Sequence, residues 1–221
     1  MPMTRPDPGR PYCPRAATTQ TPDGPFTMIV GRGVLASGWT ADLADLLALI
    51  HPSLRPGAKD LQLVCADLVA TGTGARPGAG SLPLVSEGSP ATASRPCLPG
   101  PQVGDPDPLS QALAAVDSYY SGELEAPGRV PVVQRSGPFR EAAWDTLRGV
   151  PPGTVLSYAD YAARCGRPRA VRAAAGACAF NAAALFVPCH RVVRTDGSLG
   201  GFRYGLGVKT SLIAREARTS G

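Results

Sequence analysis

The chain has 221 residues, 43% of them hydrophobic, which is enough for one or two packed domains. It holds no run of ~18 apolar residues that would read as a membrane span, and its six cysteines show neither a CxxC nor a Cys/His cluster that would suggest zinc. The net charge of +5 is split: residues 129–221 carry fourteen Lys/Arg against five Asp/Glu, and residues 1–128 carry eight against twelve. A basic half of this kind is the footprint of a polyanion binder, although an arginine-rich surface alone would give the same count.

Residues 1–25 hold seven prolines and two glycines and no apolar core, so they read as a disordered tail rather than a secretion signal. The six cysteines are accordingly read as reduced thiols of a cytoplasmic protein. Residues 26–36, FTMIVGRGVLA, predict a hairpin about Gly31-Arg32-Gly33. In 41–50, Leu43, Leu46, Leu47 and Ile50 fall on one helical face, with Thr40 as the cap and Pro52 beyond the end. Residues 71–108 contain eight prolines and seven glycines. Such a segment buries too little apolar surface to offset its ordering entropy, so a disordered insertion is expected over about 59–108. A helix resumes at 109–120, and VPVV (130–133) predicts a short strand.

From 136 the pattern turns helical. Ser136 is expected to cap a helix to about Leu147, with Phe139, Ala143, Trp144 and Leu147 inward. Ser157 caps a second helix (158–165), Gly166-Arg167-Pro168 turns the chain, and 169–180 forms a third. Two short helices about a glycine turn are a helix-turn-helix signature. The third helix carries Ala173, Ala174, Ala175, Gly176 and Ala177. These small side chains suit either tight internal packing or close approach to another surface. Arg164, Arg167, Arg169 and Arg172 nearby suit a phosphate-lined groove. Segments 185–187 and 191–194 read as β structure about a turn, and 208–217 as a last helix.

Pro188-Cys189-His190-Arg191-Val192 places a thiol beside an imidazole. The thiolate is the nucleophilic form, and a neighbouring base or cation makes it accessible near neutral pH. Neighbours in extended chain point to opposite sides, so Cys189 and His190 can cooperate only across a turn. The only other histidine is His51. Taken singly, Tyr158 reads as helix packing, Asn181 as a helix C-cap and Glu216 as a solvated charge.

Taken together, the residues from Gly137 to Glu216 resemble the O6-alkylguanine-DNA alkyltransferase family. The likeness runs through Trp144, Pro152-Gly153, Ser157-Tyr158, the Arg172 segment, Asn181, PCHRV, Gly197, Leu199-Gly200-Gly201, Lys209 and Glu216. Residues 26–56 and 109–134 look like the family's variable N-terminal domain. The resemblance implies an α+β chain: an N-terminal α/β domain of ribonuclease-H-like type (26–134) and a C-terminal, winged-helix-like helix-turn-helix alkyltransferase domain (135–218).

It further implies irreversible, once-only transfer of a methyl or alkyl group from O6-alkylguanine in double-stranded DNA to Cys189, with O4-alkylthymine an open second substrate. His190 would deprotonate Cys189 through a water, Glu216 would orient the imidazole, Asn181 would hold the turn, and Tyr158 would protonate the leaving base. Arg172 would fill the gap left by the extruded nucleotide, with Arg169, Ala173, Ala174, Ala175 and Gly176 along the DNA. Val192, Ser198, Leu199, Gly200, Gly201 and Phe202 would line the base pocket. No cofactor or metal is implied, and the protein would act as a monomer. Phe202 stands where the family usually has Tyr, Arg203 and Tyr204 where residues are commonly small, and Ala182 where Pro is common. Two other classes compete: a non-catalytic damage sensor or DNA-binding regulator, and a cysteine hydrolase. The thiol at 189 argues against the first, and the second has no matching motif.

Overall fold

A computed structural model describes residues 13–57, 59–65 and 107–218. It is a mixed α/β structure. A four-stranded sheet, ordered β3-β2-β1-β4, is formed by β1 (Arg15–Thr21), β2 (Gly24–Val30), β3 (Val34–Gly38) and β4 (Gln62–Cys65). β1, β2 and β3 pair antiparallel, whereas β4 joins β1 in parallel. The hairpin about residues 31–33 is present. Two expectations fail here. Residues 15–21, assigned to the disordered tail, form β1. Residues 62–65, assigned to the insertion, form β4. RAATTQT lacks an apolar alternation, yet pairing supplies what the pattern does not: Thr18 and Thr27 hydroxyls meet across the strands at 2.8 Å. Residues 1–12 and 66–106, the rest of the expected disorder, lie outside the described residues. Cys13 is disulfide-bonded, against the expectation of thiols throughout, while Cys165, Cys178 and Cys189 are free.

Helix α1 (Leu43–Leu49) buries Leu46 and sets Ile50 against Ile29, Leu35, Ala36 and Ala182. Its cap is Asp42, which accepts from the Ala44 N–H, not Thr40; the Thr40 hydroxyl instead accepts from the Asp42 N–H. Helix α2 (Pro108–Tyr120) starts on the Asp107 cap and buries Leu109, Ala112, Val116 and Tyr119. A short turn of helix, α3 (Ala126–Arg129), follows. The expected strand at 130–133 reduces to one bridge between Val132 and Val34. Pro131 has no N–H to extend a ladder.

The second half packs α4 (Pro138–Arg148), α5 (Tyr158–Arg164) and α6 (Val171–Ala179) around buried hydrogen bonds. Trp144 Nε1 donates to the Ala177 carbonyl at 2.9 Å, and the Tyr161 hydroxyl donates to the Ala143 carbonyl at 2.7 Å. Gly137 rather than Ser136 occupies the cap of α4, because the Ser136 N–H donates to Glu141. Ser157 caps α5 as expected, in a reciprocal pair with Asp160. A two-stranded parallel sheet, β5 (Leu156–Ser157) with β6 (Val192–Val193), brings the start of α5 beside the PCHRV segment. Helix α7 (Leu206–Arg218) closes the chain. One apolar core runs through both halves, from Phe26, Trp39 and Tyr119 to Trp144, Phe186 and Leu212.

Candidate active site

Cys189 opens a 3-10 turn, Cys189–Arg191, so the thiol and the imidazole are neighbours on a turn rather than on opposite sides of a strand. The segment before it is pinned to the edge of the large sheet. Ser37 N–H donates to the Ala182 carbonyl, its hydroxyl to the Ala184 carbonyl, and the Ala184 N–H returns to the Ser37 carbonyl. Leu185 then takes φ = 73°, a left-handed conformation that a branched side chain adopts only under tertiary constraint.

Asn181, just past α6, braces this turn from inside. Its Nδ2 donates to the Val187 carbonyl at 2.8 Å and to Cys189 Sγ at 3.2 Å. Its Oδ1 accepts from Gln134 Nε2 and the Ala183 N–H, both at 3.1 Å. Burial pushes the Cys189 thiol above its ordinary value; the Asn181 bond and the charge of Lys209 oppose that rise without cancelling it. Cys189 as a residue is 8% exposed.

The imidazole of His190 lies one residue on. His190 is fully buried, and its Nε2 meets Glu216 Oε1 at 2.9 Å. Burial drives the imidazole below its ordinary value, and the bond and charge of Glu216 pull it back only in part. Burial alone would raise the Glu216 carboxyl, yet the bonds and charges of His190 and Arg191 outweigh it and hold the group at about 2. An ionised Glu216 accepts, so Nε2 carries the proton and Nδ1 keeps its lone pair. Nδ1 is buried and has no hydrogen-bond partner among the described residues. A neutral imidazole with a free Nδ1 is a general base ready to act.

Glu216 is the hub of this region rather than a solvated charge. Arg191 grips it with Nη2 on Oε1 at 2.8 Å and Nε on Oε2 at 2.9 Å, a two-pronged pair. The Tyr119 hydroxyl donates to Oε1 at 3.2 Å, and the Gly153 N–H to Oε2 at 3.4 Å. Lys209, also fully buried, donates from Nζ to the Val192 carbonyl at 2.7 Å and to the Leu199 carbonyl.

The loop 198–205 forms the outer side. Gly200 has φ = 67°, and a Cβ there would sit 3.2 Å from the Tyr158 hydroxyl, so glycine lets the loop lie against that ring. Burial raises the Tyr158 hydroxyl above its ordinary value, and the nearby Cys178 and Cys189 add to this. The hydroxyl therefore stays protonated and able to donate. Phe202 packs on Trp39 at a tilt and Tyr204 edge-on, with centroids 6.0 and 5.7 Å away. Tyr204 reaches the Ser37 carbonyl at 3.1 Å, passing so close to Gly38 that a Cβ there would fall 2.0 Å from its ring. Leu199, Gly200 and Phe202 are half-buried, Ser198 and Gly201 exposed. Val192 is fully buried and meets the site through its carbonyl.

On α6, Arg172 and Ala173 are exposed and Ala175 and Gly176 half-buried. Arg169 is exposed too, but it precedes the helix, which begins at Val171. Ala174 was expected to face DNA. It is instead fully buried with Ala177 against the core, because residues three apart share the inward face. The packing reading of the alanine helix holds for its inward face, and the outward face presents Arg172 and Ala173. Arg191, Tyr119, Gln134 and Ser37 were not expected at the site. Arg191 stood in the PCHRV motif; the others carry no local signal.

The family described as 6-O-methylguanine DNA methyltransferase, DNA binding domain, matches residues 138–218. The human methylated-DNA–protein-cysteine methyltransferase is 35% identical over 67% of this chain and 75% of its own length. The bifunctional transcriptional activator/DNA repair enzyme Ada of Escherichia coli is 45% identical over 43% of the chain, which spans only 27% of Ada. The Salmonella typhimurium regulatory protein ada is spanned over 23% of its length. Among solved structures, the Mycobacterium tuberculosis protein in complex with DNA shares the fold, with a TM-score of 0.61 and 23% identity over 93% of this chain and 94% of that one. With its likeness to the human protein extending over three-quarters of that relative, the chain belongs to the methylated-DNA–protein-cysteine methyltransferase family.

Proposed function

We propose that this protein repairs DNA by direct reversal, moving a methyl or larger alkyl group from O6-alkylguanine in duplex DNA onto its own Cys189. The observation that carries this reading is a thiol braced by Asn181 on the same tight turn as an imidazole whose far nitrogen is held by Glu216.

The target carbon is stacked inside the duplex, so the nucleotide must be swung out, at a cost of a few kcal/mol. The exposed face of α6, with Arg172, Ala173, Ala175 and Gly176, lies along the minor groove. Arg172 enters the gap, while Arg169 contacts phosphate and makes binding nearly independent of sequence. The base enters between Tyr158 and the loop from Ser198 to Phe202. His190 Nδ1 takes the Cys189 proton through a water. The sulfur forms a bond to the alkyl carbon as the O–C bond breaks, and Tyr158 supplies a proton to the departing guanine. Solvent then returns the proton from the imidazolium to the tyrosinate. The buried Lys209 stabilises the transient thiolate. The product thioether has no easy reverse reaction, so each molecule acts once, as a monomer in the cytoplasm and without a cofactor. The N-terminal part takes the role of a ribonuclease-H-like α/β domain, and the C-terminal part that of a winged-helix-like DNA-binding domain.

Incubation with duplex containing O6-methylguanine, followed by peptide mass analysis, tests this. A single methyl mass on the peptide bearing Cys189, absent from Cys189→Ala while DNA binding persists, is the expected result. Binding without transfer by the native chain would make it a damage sensor instead.

A further inference from the structure

The carboxylate that holds His190 is reached from the opposite half of the chain. Glu216 Oε1 accepts three donors: His190 Nε2 at 2.9 Å, Arg191 Nη2 at 2.8 Å and the Tyr119 hydroxyl at 3.2 Å. Two of these come from the PCHRV turn. The third comes from α2, about seventy residues earlier in sequence. Tyr119 is 1% exposed, and burial with the Glu216 charge holds its hydroxyl far above its ordinary value. It is therefore a donor at any working pH. Its neighbour Tyr120 turns away: that hydroxyl donates to Asp23 at 2.8 Å and accepts from Trp39 Nε1 at 2.9 Å. Arg215 of α7 lies over the Tyr120 ring at 4.7 Å. One tyrosine thus fastens α2 to α7, and the other reaches the carboxylate.

We propose that Tyr119 is a positioning residue for alkyl transfer, its hydroxyl fixing Glu216 and drawing charge from Oε1 so that the His190 imidazole stays neutral with Nδ1 free. The inference rests on the proposed role of His190 as the base for Cys189. The physical link is a relay of hydrogen bonds. A carboxylate oxygen that already accepts two other donors holds the Nε2 proton less strongly, and the imidazole is correspondingly less basic. The charged groups acting on the ring are Glu216 and Lys209 from α7 and Arg191 on its own turn, with Cys189 the preceding residue of that turn and Tyr119 in contact with Glu216. Arg191 and Lys209 depress the imidazole directly, and Tyr119 weakens the one group that raises it.

Tyr119→Phe keeps the ring and removes only the donor. Two measurements read the effect. The pH dependence of single-turnover transfer from O6-methylguanine duplex should have its acid limb moved upward by on the order of 0.5 pH unit. The His190 ring titration, followed by NMR in the folded protein, should move the same way. Tyr120→Phe is the control, since it loosens the same helix without touching Glu216; it should lower Tm and leave both readings where they are. An unmoved acid limb and an unmoved titration in folded Tyr119→Phe would overturn the proposal and leave the tyrosine a packing residue. Should the native chain transfer no methyl group, the proposed function fails, and the His190 titration alone decides the link to Tyr119.

Discussion

Glu216→Gln is the sharpest probe of the buried network. The exchange is nearly isosteric, so packing is spared and only charge and donor pattern change. The described hydrogen bonds to the carboxylate all come from donors, among them His190, Arg191 and Tyr119 on Oε1 and Arg191 and Gly153 on Oε2. Whichever way the amide is turned, its NH2 faces N–H or O–H donors, and the Arg191 cation loses its counter-charge in a dry environment. Removing one partner of a buried pair destabilises by about 3–5 kcal/mol. The carboxyl's own titration gives a second route. It falls from 4.5 to about 2 on folding, which corresponds to about 3 kcal/mol. A depressed carboxyl contributes fully above its unfolded value and loses that contribution as pH falls to the folded one. The gap between native protein and Glu216→Gln should therefore be widest near neutrality and shrink between pH 4.5 and about 2. Urea unfolding followed by tryptophan fluorescence, at pH 7 and at about pH 3, measures it. Adding Arg191→Met to Glu216→Gln should recover much of the loss, since the orphaned cation is gone. A neutral-pH loss below about 1 kcal/mol, or a gap that does not narrow in acid, would refute the reasoning.

Two further substitutions probe the outer side. Arg172→Ala should slow transfer from duplex much more than reaction with free O6-benzylguanine, which needs no extrusion; equal slowing on both would remove the gap-filling role. Gly38→Ala forces a methyl to within 2.0 Å of the Tyr204 ring, which is held by Ser37 and Trp39 and cannot swing clear. A loss of about 1–3 kcal/mol by thermal unfolding is expected, recovered by adding Tyr204→Ala. An unchanged Tm would show that the ring is not fixed against the sheet.

The reactive turn was legible because its chemistry is contiguous in sequence. PCHRV supplies thiol, imidazole and guanidinium on three successive residues, and a capping pair such as Ser157 with Asp160 announces its own helix. The hairpin at Gly31–Gly33 and the leucine face of α1 were legible for the same reason. What could not be read is held by distant partners. Nothing near Tyr119 marks it for Glu216, and nothing in RAATTQT or QLVC marks a strand, because each becomes one only by pairing across the sheet. Glu216 taken alone reads as a surface charge, and only the resemblance pairs it with His190, because α7 shows its inward face only when α2 and the turn are packed on it. The depth at which Cys189 lies was not legible either: the motif shows the neighbouring imidazole, not the packing over the sulfur.

The contacts of Ser37, Trp39, Tyr119 and Gln134 bear on what a shortened version could do. All four lie ahead of residue 135, yet one anchors the loop before the sulfur, one backs the aromatic rim, one reaches the carboxylate and one steadies Asn181. A fragment cut at 135 would retain each group assigned to the chemistry and lose the scaffolding that aims them. The geometry of the turn is set by the assembled molecule, and a clean genetic split between its halves would leave the thiol without its mould.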